Sequence, residues 1–360
     1  MDIAWQPSGY AHAATPRAHR PIAVWLLVCC ALVFAMVVVG GVTRLTHSGL
    51  SIVEWKPLVG TIPPLNEAQW AETFAKYQLT PEFKQVNHAM TVAEFKGIFW
   101  WEYFHRLLGR MIGVVFLLPL LWFAARRRLD ARLALRLGGI FVLGGLQGAM
   151  GWYMVRSGLV DDPRVSHFRL TAHLSIAFLI LAAMLWQALD LIHPARRHDS
   201  GLDPALAPTR RLAWWTTAVA AYMVVTGGLV AGLRAGFAYN TFPLMNGHWI
   251  PPEILMIDPW WMNFFYNMAT VQFDHRLGAW ALAFLTAMLW WRARAVALDR
   301  PVRRGLVVLT IALLAQVSLG IATLLTGVSL PLAAAHQGCA VLLFSAALAL
   351  NHAFARARAG

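Results

Sequence analysis

Apolar residues in this chain gather into long runs separated by short, charged segments, with two longer stretches of mixed polarity at 45–101 and 234–271. A bilayer core of ~30 Å requires about 20 apolar residues per helix. Eight runs qualify, at 22–44, 103–125, 135–156, 168–192, 212–233, 272–292, 305–326 and 330–353. The first follows Arg17 and Arg20, yet the stretch from Ile22 to Val42 is too long for a signal peptide and no small-residue cleavage site follows it. It reads as an anchor. The expected fold is an all-α integral membrane protein with eight transmembrane helices.

Composition agrees with the pattern. Apolar residues make up 59% of the chain and charged residues 13%, against roughly 45–50% and about 25% in soluble domains. A cytosolic enzyme and a disordered chain are excluded. The 17 tryptophans and 7 tyrosines suit membrane–water interfaces. Three cysteines make no disulfide framework: Cys29 and Cys30 lie in the first run and Cys339 in the eighth, and they read as small buried apolar residues.

The net charge of +13 is a topology signal once its placement is read. One set of linkers and tails holds Arg17, Arg20, Arg126, Arg127, Arg128, Arg132, Arg136, Arg196, Arg197, Arg210, Arg211, Arg292, Arg294, Arg300, Arg303, Arg304, Arg356 and Arg358, more than half of the 30 basic residues. All seven glutamates fall on the other side. The positive-inside rule places both termini in the cytoplasm and the two long segments outside. The partner of this charge is the lipid bilayer and not nucleic acid.

The chain carries an internal duplication. His105-Arg106-Leu107 matches His275-Arg276-Leu277, and Leu146-Gln147-Gly148-Ala149-Met150-Gly151 matches Ala315-Gln316-Val317-Ser318-Leu319-Gly320. Gly40-Gly41 before Ser48-Gly49-Leu50 matches Gly227-Gly228 before Ala235-Gly236-Phe237, and Pro57-Leu58 with Ile62-Pro63-Pro64 matches Pro243-Leu244 with Ile250-Pro251-Pro252. The expected organisation is a tail at 1–21, a four-helix unit at 22–192, a linker at 193–211, a second unit in the same orientation at 212–353 and a tail at 354–360.

Four of the 13 histidines stand apart. His105, His173, His275 and His336 each lie near the outer end of an even-numbered run, two per unit, whereas His12, His19, His88, His193, His198, His248 and His352 lie in loops or terminal segments and read as solvated. Ionisable groups inside a membrane mark functional sites by default. Paired imidazoles facing across a four-helix unit suit the axial positions of haem iron, whereas zinc would lack further ligands. Arg106 and Arg276, with Arg44, Arg110, Arg169 and Arg234 near the same surface, are candidates to pair with haem propionates. The units differ at one telling place: Glu102 stands three residues before His105, where Gln272 stands before His275. At that spacing the side chain shares the histidine's helix face, so the first unit holds a carboxylate able to take protons or steady a cation. Asp274 points to another face and reads as a capping or surface residue. His47 aligns with Arg234 and is a further candidate for a propionate or a proton path.

Several segments carry a resemblance. They are Thr43–Pro57, Glu94-Phe95-Lys96, Phe99–Arg106, Gly109-Arg110, Tyr239–Met245, Phe273–Arg276 and Ala335–Gly338. Together they resemble the haem A synthase family, in the alphaproteobacterial and mitochondrial branch that lacks an outer-loop cysteine pair, across roughly 22–353. The resemblance implies oxidation of the C8 methyl of haem O to a formyl group with water-derived oxygen, haem O on His105 and His173, and resident haem b on His275 and His336. It also implies that Glu102 is the functional glutamate. The expected setting is a bacterial inner membrane, with the sites near the periplasmic face and haem O synthase or cytochrome oxidase assembly factors as partners. A homo-oligomer is left open. The competing readings are a diheme b-type electron-transfer protein, which would set its pairs at two depths, and a transporter, which would show broken helices and charged midplane residues.

Overall fold

The structure, a computed structural model, describes residues 16–55, 59–160, 162–194 and 204–357. The tail before residue 16, Pro57-Leu58, the linker arginines Arg196 and Arg197, and Arg358 lie outside the described residues. The helices are α1 (Pro16–Leu45), α2 (Glu67–Gln78), α3 (Pro81–Gln85), α4 (Val92–Ala125), α5 (Ala131–Arg156), α6 (His167–Ile192), α7 (Ala207–Gly232), α8 (Ala235–Ala238), α9 (Asn263–Tyr266), α10 (Met268–Ala293), α11 (Arg300–Leu325) and α12 (Leu330–Phe354). Three long helices begin about a turn earlier than the apolar runs because a polar cap or a proline starts them: the Asp130 carboxylate accepts the Leu133 N–H at 2.8 Å before α5, and α7 and α11 carry proline in the first turn.

Seven long helices are apolar enough to cross a membrane. The eighth, α10, has the same 26 residues as α5, α6, α7 and α11 but falls short in apolarity. Its first two turns carry Gln272, Asp274, His275 and Arg276.

Helices α1, α4, α5 and α6 close into one ring of neighbours, and α7, α10, α11 and α12 into another. The rings meet along a seam where α6 packs on α7 and α1 on α12. In lipid such contacts rest on close packing and small residues rather than on water expulsion. A Cβ at Gly232 of α7 would lie 2.4 Å from the Cβ and 2.7 Å from the Cα of His167 on α6, so only glycine fits there. On the other side of the seam the Gln337 amide of α12 donates to the Val37 carbonyl of α1 at 2.7 Å. Phe178 and Phe344 stack deeper in the same seam with centroids 5.5 Å apart.

At the end of the seam bearing the arginine-rich linkers, His352 departs from the solvated state its terminal position indicated. It is 3% exposed and contacts the Asp190 carboxylate at 3.0 Å, and Arg356 donates to the same oxygen at 2.6 Å. Asp190 lies on α6 and the other two on or just after α12, a pairing that no local pattern reveals.

The opposite end of the first ring carries a helical cap. A capping box of Thr91 and Glu94 starts α4 at Val92, about three turns before the apolar run at 103. This extension packs with α2 in an aromatic cluster of Trp70, Phe74, Tyr77, Phe95, Phe99 and Tyr103. Charged residues within the extension, Glu94 and Lys96, hid it from the hydropathy pattern.

Inside the cap Glu82 is 5% exposed; it accepts from the Tyr77 hydroxyl at 3.2 Å, which itself accepts from Asn87 at 2.7 Å. Burial pushes its carboxyl up to about 7. A folded-state value raised above the unfolded one means that the cap is most stable below about 4.5, the ordinary value. That stability is lost as pH rises through about 7. At roughly 1.4 kcal/mol per unit, the loss is at most about 3 kcal/mol. Hydrogen exchange of the cap amides from pH 5 to 8 should therefore quicken with pH beyond the intrinsic base dependence. Glu82→Gln should abolish the excess, and an excess unchanged in that variant would refute the assignment.

Candidate functional site

The histidine pairs come together within each ring. His105 on α4 lies within electrostatic reach of His173 on α6, and His275 on α10 within reach of His336 on α12. Each imidazole rests against a glycine of the preceding long helix in its ring. A Cβ built at Gly40 would meet Cε1 of His105 at 2.9 Å, at Gly151 that of His173 at 2.9 Å, at Gly227 that of His275 at 3.3 Å, and at Gly320 that of His336 at 2.9 Å. All four glycines belong to the duplicated motifs. They are the cradle that a flat ring system needs if imidazoles are to stand upright between closely spaced helices.

The pairs differ in how their rings are held. The Thr226 hydroxyl lies 2.8 Å from Nδ1 of His275. Because that hydroxyl donates to the Met223 carbonyl at 3.3 Å, it is left to accept from Nδ1–H. Nδ1 of His336 donates to the Gln316 carbonyl at 3.1 Å. Both rings of the second unit therefore present an unprotonated Nε2, the state a metal ligand needs. In the first unit Nδ1 of His105 is buried without a hydrogen-bond partner, whereas His173 sits against the Gln147 backbone as His336 sits against that of Gln316. The cause is partly visible in the duplication, since Val39 occupies the first-unit place of Thr226. Gln147 and Gln316 repeat each other, with amide nitrogens 3.5 Å and 3.4 Å from Nε2 of His173 and His336.

Glu102 is buried at 3% exposure, not open at a helix mouth. One carboxylate oxygen accepts from the Ser51 hydroxyl and the Ile52 N–H, each at 2.7 Å. The other accepts from Arg106 Nε at 3.1 Å and Nη2 at 2.7 Å. Arg106 also donates to the carbonyls of Ile52 and Glu54 at 2.7 and 3.1 Å. Gln272 builds the neutral counterpart: its amide donates to Tyr239 O at 2.9 Å, and Arg276 donates to Gln272 at 3.3 Å and to Thr241 O at 2.7 Å. In both units the arginine after the histidine clamps the outer loop. The first unit places a carboxylate beneath it where the second has an amide.

The remaining arginines lie at the same end. Arg44 donates to the Ala231 carbonyl, 187 positions away, and Arg234 donates to Nδ1 of His47, also 187 positions away, at 3.3 Å. That separation is the repeat offset between Gly40 and Gly227, so equivalent places of the two units touch each other at the seam, as on a pseudo-two-fold axis. Burial, then the charges of Arg234 and Arg44, hold His47 below the usual imidazole range. Arg169 donates to Tyr153 O at 2.8 Å and lies over its ring, and Arg110 lies one turn beyond Arg106 on α4. Asp274 accepts from the Tyr222 hydroxyl at 2.7 Å. Among the described residues no cluster of three or more His, Cys, Asp or Glu is arranged as a metal site. Paired imidazoles with glycine cradles and buried ring nitrogens fit the two axial positions of a haem.

Residues 23–348 match the family described as cytochrome oxidase assembly protein, COX15-CtaA. The chain is 60% identical over 339 residues to a haem A synthase of Nitrosospira multiformis, covering 94% of each chain. It is 57% identical to a haem A synthase of Nitrosomonas eutropha, covering 92% of each. A haem A synthase of Rhodospirillum centenum is 50% identical, covering 92% of this chain and 87% of its own.

Proposed function

The chain belongs to the COX15-CtaA family of cytochrome oxidase assembly proteins and its function is haem A synthesis; on that premise we propose how its two units divide the work. The first unit takes haem O between His105 and His173, and the second holds a resident haem b between His275 and His336. The observation that carries this division is the contrast in ring support. A permanent cofactor benefits from ligands pre-oriented by Thr226 and the Gln316 carbonyl. A substrate that must enter and leave is served by His105, whose ring lacks the hydroxyl that Thr226 gives His275.

The reaction is oxidation of the C8 methyl of haem O to a formyl group. With water as oxygen source it balances as one methyl plus one water giving one aldehyde, four protons and four electrons, through two hydroxylation levels and loss of water from a gem-diol. Held by His275 and His336, haem b would supply the redox chemistry, relaying the four electrons to an external acceptor. Glu102 supplies charge: its four donors occupy the roughly four acceptor sites of a carboxylate. They favour a fixed anion that steadies positive charge developing at the methyl carbon over a proton acceptor. Arg106 and Arg276 hold the outer loops over the sites, and they share the outer end with Arg44, Arg110, Arg169 and Arg234 as candidates for propionate pairing. His47 supports that cluster by accepting from Arg234.

We place the chain in a bacterial inner membrane as eight spans, α10 included. It forms two tandem four-helix units at 22–192 and 212–353, with both termini cytoplasmic and the sites near the periplasmic face. The arginine-rich linkers and the ring closure by α10 support that arrangement. Haem O synthase and cytochrome oxidase assembly factors are the expected partners.

Haem extraction from purified protein tests the reading. Chromatography is expected to separate haem B together with haems O and A. Haem B alone would favour the diheme electron-transfer protein instead.

A further inference from the structure

The inward faces of α5 and α11 can be compared position by position. Leu133, Leu137 and Ile140 bury one face of α5, as Val302, Leu306 and Leu309 bury that of α11. One turn further toward the histidines the match ends. α11 continues with Leu313, 6% exposed in the core, and Val317, packed against it. α5 has Gly144 and Gly148, where an added Cβ would meet no atom within 4 Å. The helical period keeps Gly144 and Gly148 near the line that runs from Leu137 and Ile140 to Gly151, and Gly151 is where His173 rests. Where α11 packs Leu313 and Val317, the first unit therefore presents two exposed glycines, a groove that begins beside Gly151 and runs about 10 Å along α5 at 1.5 Å per residue. In the second unit two aliphatic side chains fill that place.

Polar groups lie at the groove's outer end. Oε1 of Gln147 is buried there without a partner, as is Nδ1 of His105 across the ring. Gln147 has its repeat in Gln316, whose Oε1 is likewise unpartnered, so the two glycines are what distinguish the units.

We propose that Gly144 and Gly148 form the slot for the isoprenoid chain of haem O, and that Leu313 and Val317 exclude such a chain from the second unit. This rests on the functional reading above and names its specificity determinants. Haem O differs from haem b in bearing a farnesyl-type chain on the edge remote from the propionates. With the propionates at the arginine-lined outer end, that edge faces inward, into the slot. An apolar chain in an apolar slot gains about 0.8 kcal/mol per buried CH₂, while a leucine in its path forces it out.

The test exchanges the residues between units. Gly144→Leu/Gly148→Val protein, purified from cells making haems B and O, is expected to show at least a tenfold lower ratio of haems O and A to haem B, with at least one haem B per chain retained. Leu313→Gly/Val317→Gly should raise the content of haems O and A per chain, a gain that structural damage would not produce. If the forward variant also loses haem B, Gly148→Val alone decides through the same ratio. Wild-type ratios in the forward and single variants, or no gain in the reverse one, overturn the slot. Haem B alone in the unaltered protein overturns the functional reading itself.

Discussion

Replacing Glu102 by glutamine is expected to lower haem A formation roughly 100- to 1,000-fold, the range for removing one preorganised electrostatic group from a reacting centre. The second unit supplies the internal control. Gln272 already shows that an amide at this helix position can hold its arginine and the outer loop, through Tyr239 O and Arg276. In the first unit the exchange removes the charge but also disturbs the bonds from Ser51 and the Ile52 N–H. A stability cost of about 1–3 kcal/mol follows from disturbing hydrogen bonds to a charged group. Retained haem B in the second unit and unchanged exchange protection of the cap would show that the fold survives. Haem A yield equal to that of the unaltered protein, measured by extraction and chromatography, would sink the electrostatic role.

Removing an axial ligand should have an equally large effect on a different readout. His275→Ala is expected to strip haem b from purified protein and abolish its absorption, because the cradle at Gly227 and the Thr226 hydroxyl orient that one ring. Thr226→Val, which imports the first-unit residue, should weaken retention by roughly 10- to 100-fold, as loss of an outer-shell partner does. The order of the two variants separates ligation from general damage. An unchanged visible spectrum in His275→Ala would refute the ligand assignment.

Much of this was legible in one dimension. Helix number and placement followed from apolar runs, since lipid satisfies no backbone polar group and forces the chain into complete helices. The four histidines stood out because so few ionisable groups interrupt those runs. The Glu102–Gln272 contrast was visible for the same reason, and so were the glycines, as repeated letters. Their purpose was not legible, because a glycine's role depends on which side chain of another helix comes against it.

Other features were hidden by their chemistry. The start of α4 at Val92 escaped notice because its first turns are held by a capping box and an aromatic cap rather than by lipid. His352 looked terminal and solvated, but α12 carries it into a seam where Asp190 meets it. Arg106 and Arg276 carry a second task that spacing could not reveal, since the outer loops fold back and present carbonyls to them.

The sequence by itself determined an all-helical, duplicated membrane protein with four special histidines and one unmatched carboxylate. These follow from period, composition and local spacing, which a chain carries without folding. Only the tertiary structure decided that Glu102 is saturated with donors, that Thr226 orients His275 while Nδ1 of His105 is left without a partner, and that Gly144 and Gly148 lie open where Leu313 and Val317 are packed. Each is a contact between residues far apart in the chain, set by how eight helices pack, and the identity of one residue does not specify what faces it.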